Sequence, residues 1–367
     1  MRPSARPPRV SSSCRRALAA LELAALAIAA LAIGACALSA RAQDSLPSEP
    51  AKPTKLFTSD SIIPITIASD IKKYMATRDS TAPWMPGTLV AGADTIAIGL
   101  KPRGHFRRKS STCGFPPVSV KFDKKEKKGT VFSKQDKLKL VTTCWPGRAD
   151  YEGYIPQEYL LYKAYNLITN FSFLVRYVRV TYADTAHKDR APIVTNGFFV
   201  EDQGDMAARN TGVRIPAKGA TRDDFDAETL ADLSLFEFMI GNTDLSFAGE
   251  HNVRFVRTAQ FGIVFPVPYD FDWSGVINTR YARPDPSLPI HAVRDRLWMS
   301  FCFTPEQLAP AIARFNAQRD AITAIYANTT LLEKPVADAT LAYFADFYKI
   351  INDPKQLTKA ITRHCAG

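Results

Sequence analysis

Acidic and amide side chains gather in one stretch of this chain, Leu235 to Gly275, in a pattern that can do phosphate chemistry. In order it carries an apolar run, Asn242 and Asp244, the pair His251-Asn252, a second apolar run, and Tyr269-Asp270-Phe271-Asp272. Carboxylates beside buried segments are costly unless a positive group sits among them. A divalent cation carrying a phosphorylated ligand meets that need, because magnesium takes one or two carboxylates together with phosphate oxygens. Asp270 and Asp272, two residues apart, would share one face of a strand, and like charges that close repel without a cation between them. Plainer roles exist for each: an aspartate capping a turn for Asp270 and Asp272, a helix cap for Asn252, and an Asx-turn for Asp244 within Gly-Asn-Thr-Asp.

Phosphoryl transfer also needs a cation on the phosphates and an anion to hold it. Lys139 is the best placed, since its alternating strand (Lys-Leu-Lys-Leu-Val) directly precedes a segment of helical spacing, Pro156 to Thr169, that opens with Glu158. Lys137 points the same way and Lys121 is the outer candidate. Any lysine on a half-exposed strand is more often surface than function, and Glu158 near a helix start serves the helix as well as a lysine. Glu201-Asp202, after the strand Gly-Phe-Phe-Val, would form a hinge meeting adenine through backbone groups. Arg103, in the basic turn Arg103-Gly-His-Phe-Arg-Arg108, can reach a phosphate or simply brace the turn. His251 reads as a packing residue. No nucleophile elbow supports a Ser-His-Asp hydrolase.

The elements that must position these residues are strand-like up to about residue 202 and helical afterwards. The fold class is therefore α+β, with a strand-rich half at 57–202 and a helical half at 203–367. The 367 residues, 46% hydrophobic and 23% charged, have globular composition. Residues 1–42 read as a signal peptide: a basic segment, an Ala/Leu-rich run, and small residues at Ala40 and Ala42. Rival readings are a lipid on Cys36, in Ile-Gly-Ala-Cys, or an uncleaved anchor; all three place the remainder outside the cytoplasm. Residues 43–56 read as a tether. Losing 1–42 removes six Arg and one Glu, so the net charge falls from +11 to +6. The excess lies between Lys101 and Lys139. Lysine without interleaved aromatics carries no nucleic-acid signal. Four cysteines then remain, and pairing within each half favours Cys113–Cys144 and Cys302–Cys365.

Taken together, the segments RGHFRR, KLKLV, the helix with Gln157-Glu158-Tyr159, GFFVED, GNTD with His251-Asn252, and PYDFDWSG resemble the CotH-like family of atypical secretory kinases, in order over roughly residues 100 to 280. The resemblance implies a two-lobed protein-kinase-like fold that transfers phosphate from ATP, with magnesium or manganese, to an exported protein or to the chain itself. It implies Asp244 as catalytic residue, and Asn252 and Asp270 as metal ligands with Asp272 beside them. The membrane would enter only through Cys36 or an uncleaved anchor. The chain lacks a GxGxxG loop and a DFG triplet, and Asp244 and Asn252 stand eight apart rather than five. Two rivals stay open: a kinase-like binding protein without catalysis, favoured by the missing glycine loop, and a sugar transferase using Asp270-Phe-Asp272 as a DxD metal motif.

Overall fold

A computed structural model describes residues 46–47, 49–258 and 263–366. The expected signal peptide therefore lies outside the described residues, as does the start of the tether. The tether's end is not free: Leu56 is buried, and Thr54 accepts a hydrogen bond from Gln135.

Seven strands fill the first half: β1 (Ile63–Ser69), β2 (Met85–Ala91), β3 (Asp94–Pro102), β4 (Val118–Phe122), β5 (Lys137–Thr142), β6 (Val175–Asp184) and β7 (Ile193–Val200). They close into a barrel in the order β1-β2-β3-β4-β5-β7-β6, sealed by parallel pairing of β6 with β1. Short strands with alternating burial make closure feasible. In β3, for instance, Ile96, Ile98 and Leu100 point in while Thr95 and Ala97 face out. Inward residues such as Ile67, Val120, Leu140 and Phe199 form one core. Closure leaves no strand edge in this sheet, a feature the alternation alone does not reveal. The apolar run Thr88–Leu100 is a β2–β3 hairpin, turned at Gly92 in the left-handed region with φ of 60°.

After β7 most of the regular structure is helical: α3 (Gln203–Arg209), α4 (Ala227–Ile240), α5 (Pro305–Ala317), α6 (Arg319–Ala327), α7 (Lys334–Ile351) and α8 (Pro354–Thr362), with α1 (Ile71–Ala76) and α2 (Ala149–Asn166) earlier. The mixed α+β class is as expected. A second sheet, β10-β9-β8, is set among these helices, formed by β8 (Val213–Ile215), β9 (Val253–Arg257) and β10 (Val264–Pro268). A larger core joins α2 and the outer barrel residues Val141, Phe198 and Val200 to α4, the small sheet and the C-terminal helices. Both expected disulfides form, Cys113–Cys144 and Cys302–Cys365.

Helix α2 departs from the sequence reading. It starts at Ala149, not at Pro156, and runs through that proline. Proline forfeits one backbone hydrogen bond inside a helix, but this helix is packed between barrel strands β6 and β7 and helix α6, and tertiary burial outweighs the loss. Glu158 therefore sits mid-helix and buried, where a helix-terminus role is excluded.

Candidate functional site

The β9–β10 hairpin brings the distant site residues together. Its register pairs Val253 with Pro268, and one step further the Tyr269 amide donates to the Asn252 carbonyl at 3.0 Å. Asn252 and Asp270 consequently flank the hairpin's open end. Both adopt left-handed backbone, with φ of 54° and 65°, a conformation that Asn and Asp tolerate better than other side chains. The Asp270 amide donates to Tyr162 Oη at 2.8 Å. Tyr162 lies one helical turn after Glu158, so both face this corner from α2.

Asp244 reaches the same place through a tight loop. Gly241 ends α4 in the left-handed region with φ of 66°. The buried Asn242 accepts from the Asp244 amide at 3.1 Å, and Ser246 and His251 exchange backbone hydrogen bonds that close the loop. The Asn252 side-chain amide then donates to the Asp244 carbonyl at 2.8 Å and to its Oδ2 at 2.9 Å. His251 Nε2 lies 3.1 Å from Asp244 Oδ1. His251 is thus exposed and bound to the candidate base, not a packing residue. Its hydrogen bond to Asp244 raises its pKa, against a smaller opposing effect of burial.

A cleft of about 260 Å³ opens here, walled by Arg103–Arg107 and Pro117 from the barrel half and by Asp244, His251, Asn252, Asp270, Asp272 and Trp273 from the other. Four of the expected residues therefore converge with Arg103. Arg103 has a structural contact, its Nε donating to the Val118 carbonyl at 3.2 Å, and its side chain also lines the cleft.

The positive group among the carboxylates is Arg107, which the sequence does not single out from its basic neighbours. Its Nε is 3.4 Å from Asp272 Oδ2 and its Nη2 is 3.8 Å from Asp270 Oδ1. Burial lowers the Arg107 pKa, but Asp272, Tyr281, Asp270 and Glu158 together push it above its ordinary value. Burial raises Asp270 too, yet Arg107, Arg103, Lys139 and His251 carry it below the usual carboxylate range. Asp272 is shifted the other way by burial and by the charge of Asp270, against Arg107 and a 2.8 Å hydrogen bond from Tyr281. Asp270 and Asp272 share a side not as strand neighbours but because both lie in the loop after β10 and turn toward Arg107.

One expectation is corrected: among the described residues no ion pair joins Lys139 to Glu158. Glu158 faces Asp272, Asp270 and Arg107 instead. Burial and those aspartates drive its pKa well up, and its Oε1 has no hydrogen-bond partner. Lys139 Nζ lies over the Tyr269 ring, 4.1 Å from its centroid, and that ring is shared with Arg254 at 4.3 Å. Burial and the neighbouring Arg103 lower its pKa to about 7. The Glu201 carboxylate is occupied by structural partners, as a hinge acting through backbone groups allows. Its carboxylate takes Arg209 Nε at 2.9 Å, Arg209 Nη2 at 3.0 Å and the Leu174 amide at 3.0 Å, while its own amide donates to the Leu174 carbonyl. A buried ion pair there fixes the crossing from β7 into α3, whose start Asp202 caps.

No protein-family model and no curated protein matches this chain, so the CotH-like resemblance rests on its motifs alone. Among solved structures, the Helicobacter pylori proinflammatory kinase CtkA aligns over 78% of this chain and 94% of its own, with a TM-score of 0.35 and 10% identity. A likeness this slight decides nothing about activity.

Proposed function

We propose that this protein is a phosphotransferase with a kinase-like site, acting on a metal–ATP complex and a hydroxyl acceptor. The observation that carries the reading is the convergence of Asp244, Asn252, Asp270 and Asp272 with Arg103 and Arg107 on one cleft. These are hard oxygen donors facing guanidinium groups, the combination that a metal polyphosphate needs.

The donor set fits magnesium or manganese. Asn252, its Nδ2 committed to Asp244, would offer its Oδ1, and Asp270 and Asp272 would add carboxylates. Such a metal would neutralise phosphate charge. The chain's own part is to orient. Hydrogen bonds from His251 and Asn252 aim the Asp244 carboxylate, which would accept the acceptor's hydroxyl proton. Arg103 would bind phosphate from the barrel side. Lys139, over the Tyr269 ring and without a pair with Glu158, would support the phosphates only in its protonated form.

The acceptor we assign is an exported protein or the chain itself. Two disulfides are compatible with an extracytoplasmic location. Transfer of radiolabelled γ-phosphate from ATP tests the proposal, with Asp244→Asn as the control that keeps the shape of the loop. Transfer that persists undiminished in Asp244→Asn would remove Asp244 from its role. A second reading is favoured by the guanidinium already balancing Asp270 and Asp272: a nucleotide-binding protein without catalysis. Under it, metal–ATP raises the melting temperature while no label moves.

A further inference from the structure

The contacts of Arg107 point past phosphate binding, to how the site is charged before any ligand arrives. Three carboxyl groups, on Asp270, Asp272 and Glu158, face one guanidinium. Its separations of 3.4 and 3.8 Å from the two aspartates exceed the 2.7–2.9 Å of charge-assisted hydrogen bonds, so charge rather than directed bonding holds it there. The loop that carries it has anchors besides the guanidinium: Phe106 packs edge-on against Trp273 at 5.2 Å, and Arg108 Nη1 donates to the Arg78 carbonyl at 2.6 Å. The guanidinium can therefore exchange partners while the backbone stays in place.

We infer that Arg107 is a built-in counter-ion that makes metal binding depend on nucleotide: in the free protein it occupies the carboxylate corner, and a divalent cation enters only with a polyphosphate that takes the guanidinium in exchange. This rests on the proposed function and names the order of binding at the same site. A lone metal ion must displace the guanidinium from both aspartates and leave it buried with Glu158 alone, which is costly. A metal polyphosphate supplies the displaced guanidinium with new anionic oxygens, the planar donor set being suited to phosphate.

The test uses manganese as probe on the full protein, by calorimetry, with and without the non-hydrolysable analogue adenylyl imidodiphosphate. The wild type should bind manganese about tenfold or more tighter with the analogue than without it, as removal of a nearby like charge predicts. Arg107→Gln should bind manganese alone about tenfold tighter than the wild type and lose most of the analogue's effect, whereas Arg107→Lys keeps the wild-type order. If Arg107→Gln binds manganese alone no better than the wild type, or if the wild type binds it equally well without the analogue, the counter-ion role is overturned while the nucleotide site stands. If no protein binds metal or analogue under any condition, the proposed function fails and the inference with it.

Discussion

Asn252 holds Asp244 at two points: its side-chain amide donates both to the Asp244 carbonyl and to the Asp244 carboxylate, at 2.8 and 2.9 Å. The left-handed backbone at Asn252 turns that amide back across the loop. Replacement by alanine removes two hydrogen bonds and puts a β-branch-free side chain without polar reach at a strained position. Asn252→Ala should lose roughly 1–3 kcal/mol of stability in urea unfolding. If Asp244 is the base, phosphate transfer should fall by about 10²-fold or more. A variant as unstable as this but fully active would show that the contact serves the fold alone.

Glu201 and Arg209 make the opposite case, of a carboxylate at the expected hinge whose own contacts are all structural. Both are almost wholly buried, with side-chain exposures of 1% and 9%. Breaking a buried pair strands the remaining charge, so Glu201→Ala should cost about 3–5 kcal/mol. ATP affinity, measured at a temperature where the variant is fully folded, should stay within about twofold of the wild type, because no new contact to ligand is lost. A much larger loss of affinity with unchanged stability would restore the hinge carboxylate as a binding group.

These two pairs mark what is legible in the sequence. Alternation and helical spacing give the strand-rich first half, the helical second half and the residues of the loop between Asp244 and Asp272. Pairing by half gives both disulfides. Barrel closure is not legible, because the partner of β1 is β6, more than a hundred residues away, and nothing local to either strand marks the parallel match. Nor is the start of α2: a proline at a typical first-turn position overrides the eye, while the packing that carries the helix through Pro156 is tertiary. The partners of Lys139 and Glu158 follow from the same limit. Their strand and helix are adjacent in sequence, yet the direction each side chain takes depends on Arg107 and Tyr269, which lie on other elements. The one usable hint of Arg107 is its spacing of four residues from Arg103 in a turn containing one glycine.

Glu237, on α4 behind Asp244, gives a pH dependence whose sign is fixed. Burial pushes its pKa up to about 8 from the ordinary 4.5, with Asn242 opposing and the charge of Asp244 adding. The folded protein therefore keeps a proton that the unfolded chain has already released above pH 4.5. The stabilisation is fully present below that value and is lost progressively as pH rises toward about 8. Glu237→Gln cannot ionise and should remove this decline, gaining on the order of 2–4 kcal/mol over the wild type at pH 9. Urea unfolding at pH 5, 7 and 9 measures it, and parallel curves for the two proteins would place no buried ionisation at Glu237.

The Cys113–Cys144 disulfide is coupled to the site through aromatic packing, and this separates its role from that of the second disulfide. It lies in a cluster with Tyr151, against which Trp145, Tyr154 and Tyr281 pack. Tyr281 in turn donates to Asp272 at 2.8 Å. Cys302–Cys365 instead ties the segment after α8 to residues 300–302, where the Cys302 amide donates to the Ala366 carbonyl and the Ala366 amide to the Ser300 carbonyl. Each double serine variant should lose about 2–4 kcal/mol of stability. Only Cys113→Ser/Cys144→Ser should also weaken binding of the ATP analogue, by roughly three- to tenfold, since it frees Tyr281 and the loop bearing Arg107. Tyr281→Phe should reproduce part of that loss with both disulfides intact, because it removes the hydrogen bond to Asp272 and leaves the aromatic packing in place. Equal effects of the two disulfides on analogue binding would mean that Cys113–Cys144 stabilises the chain at large and not this corner of the cleft.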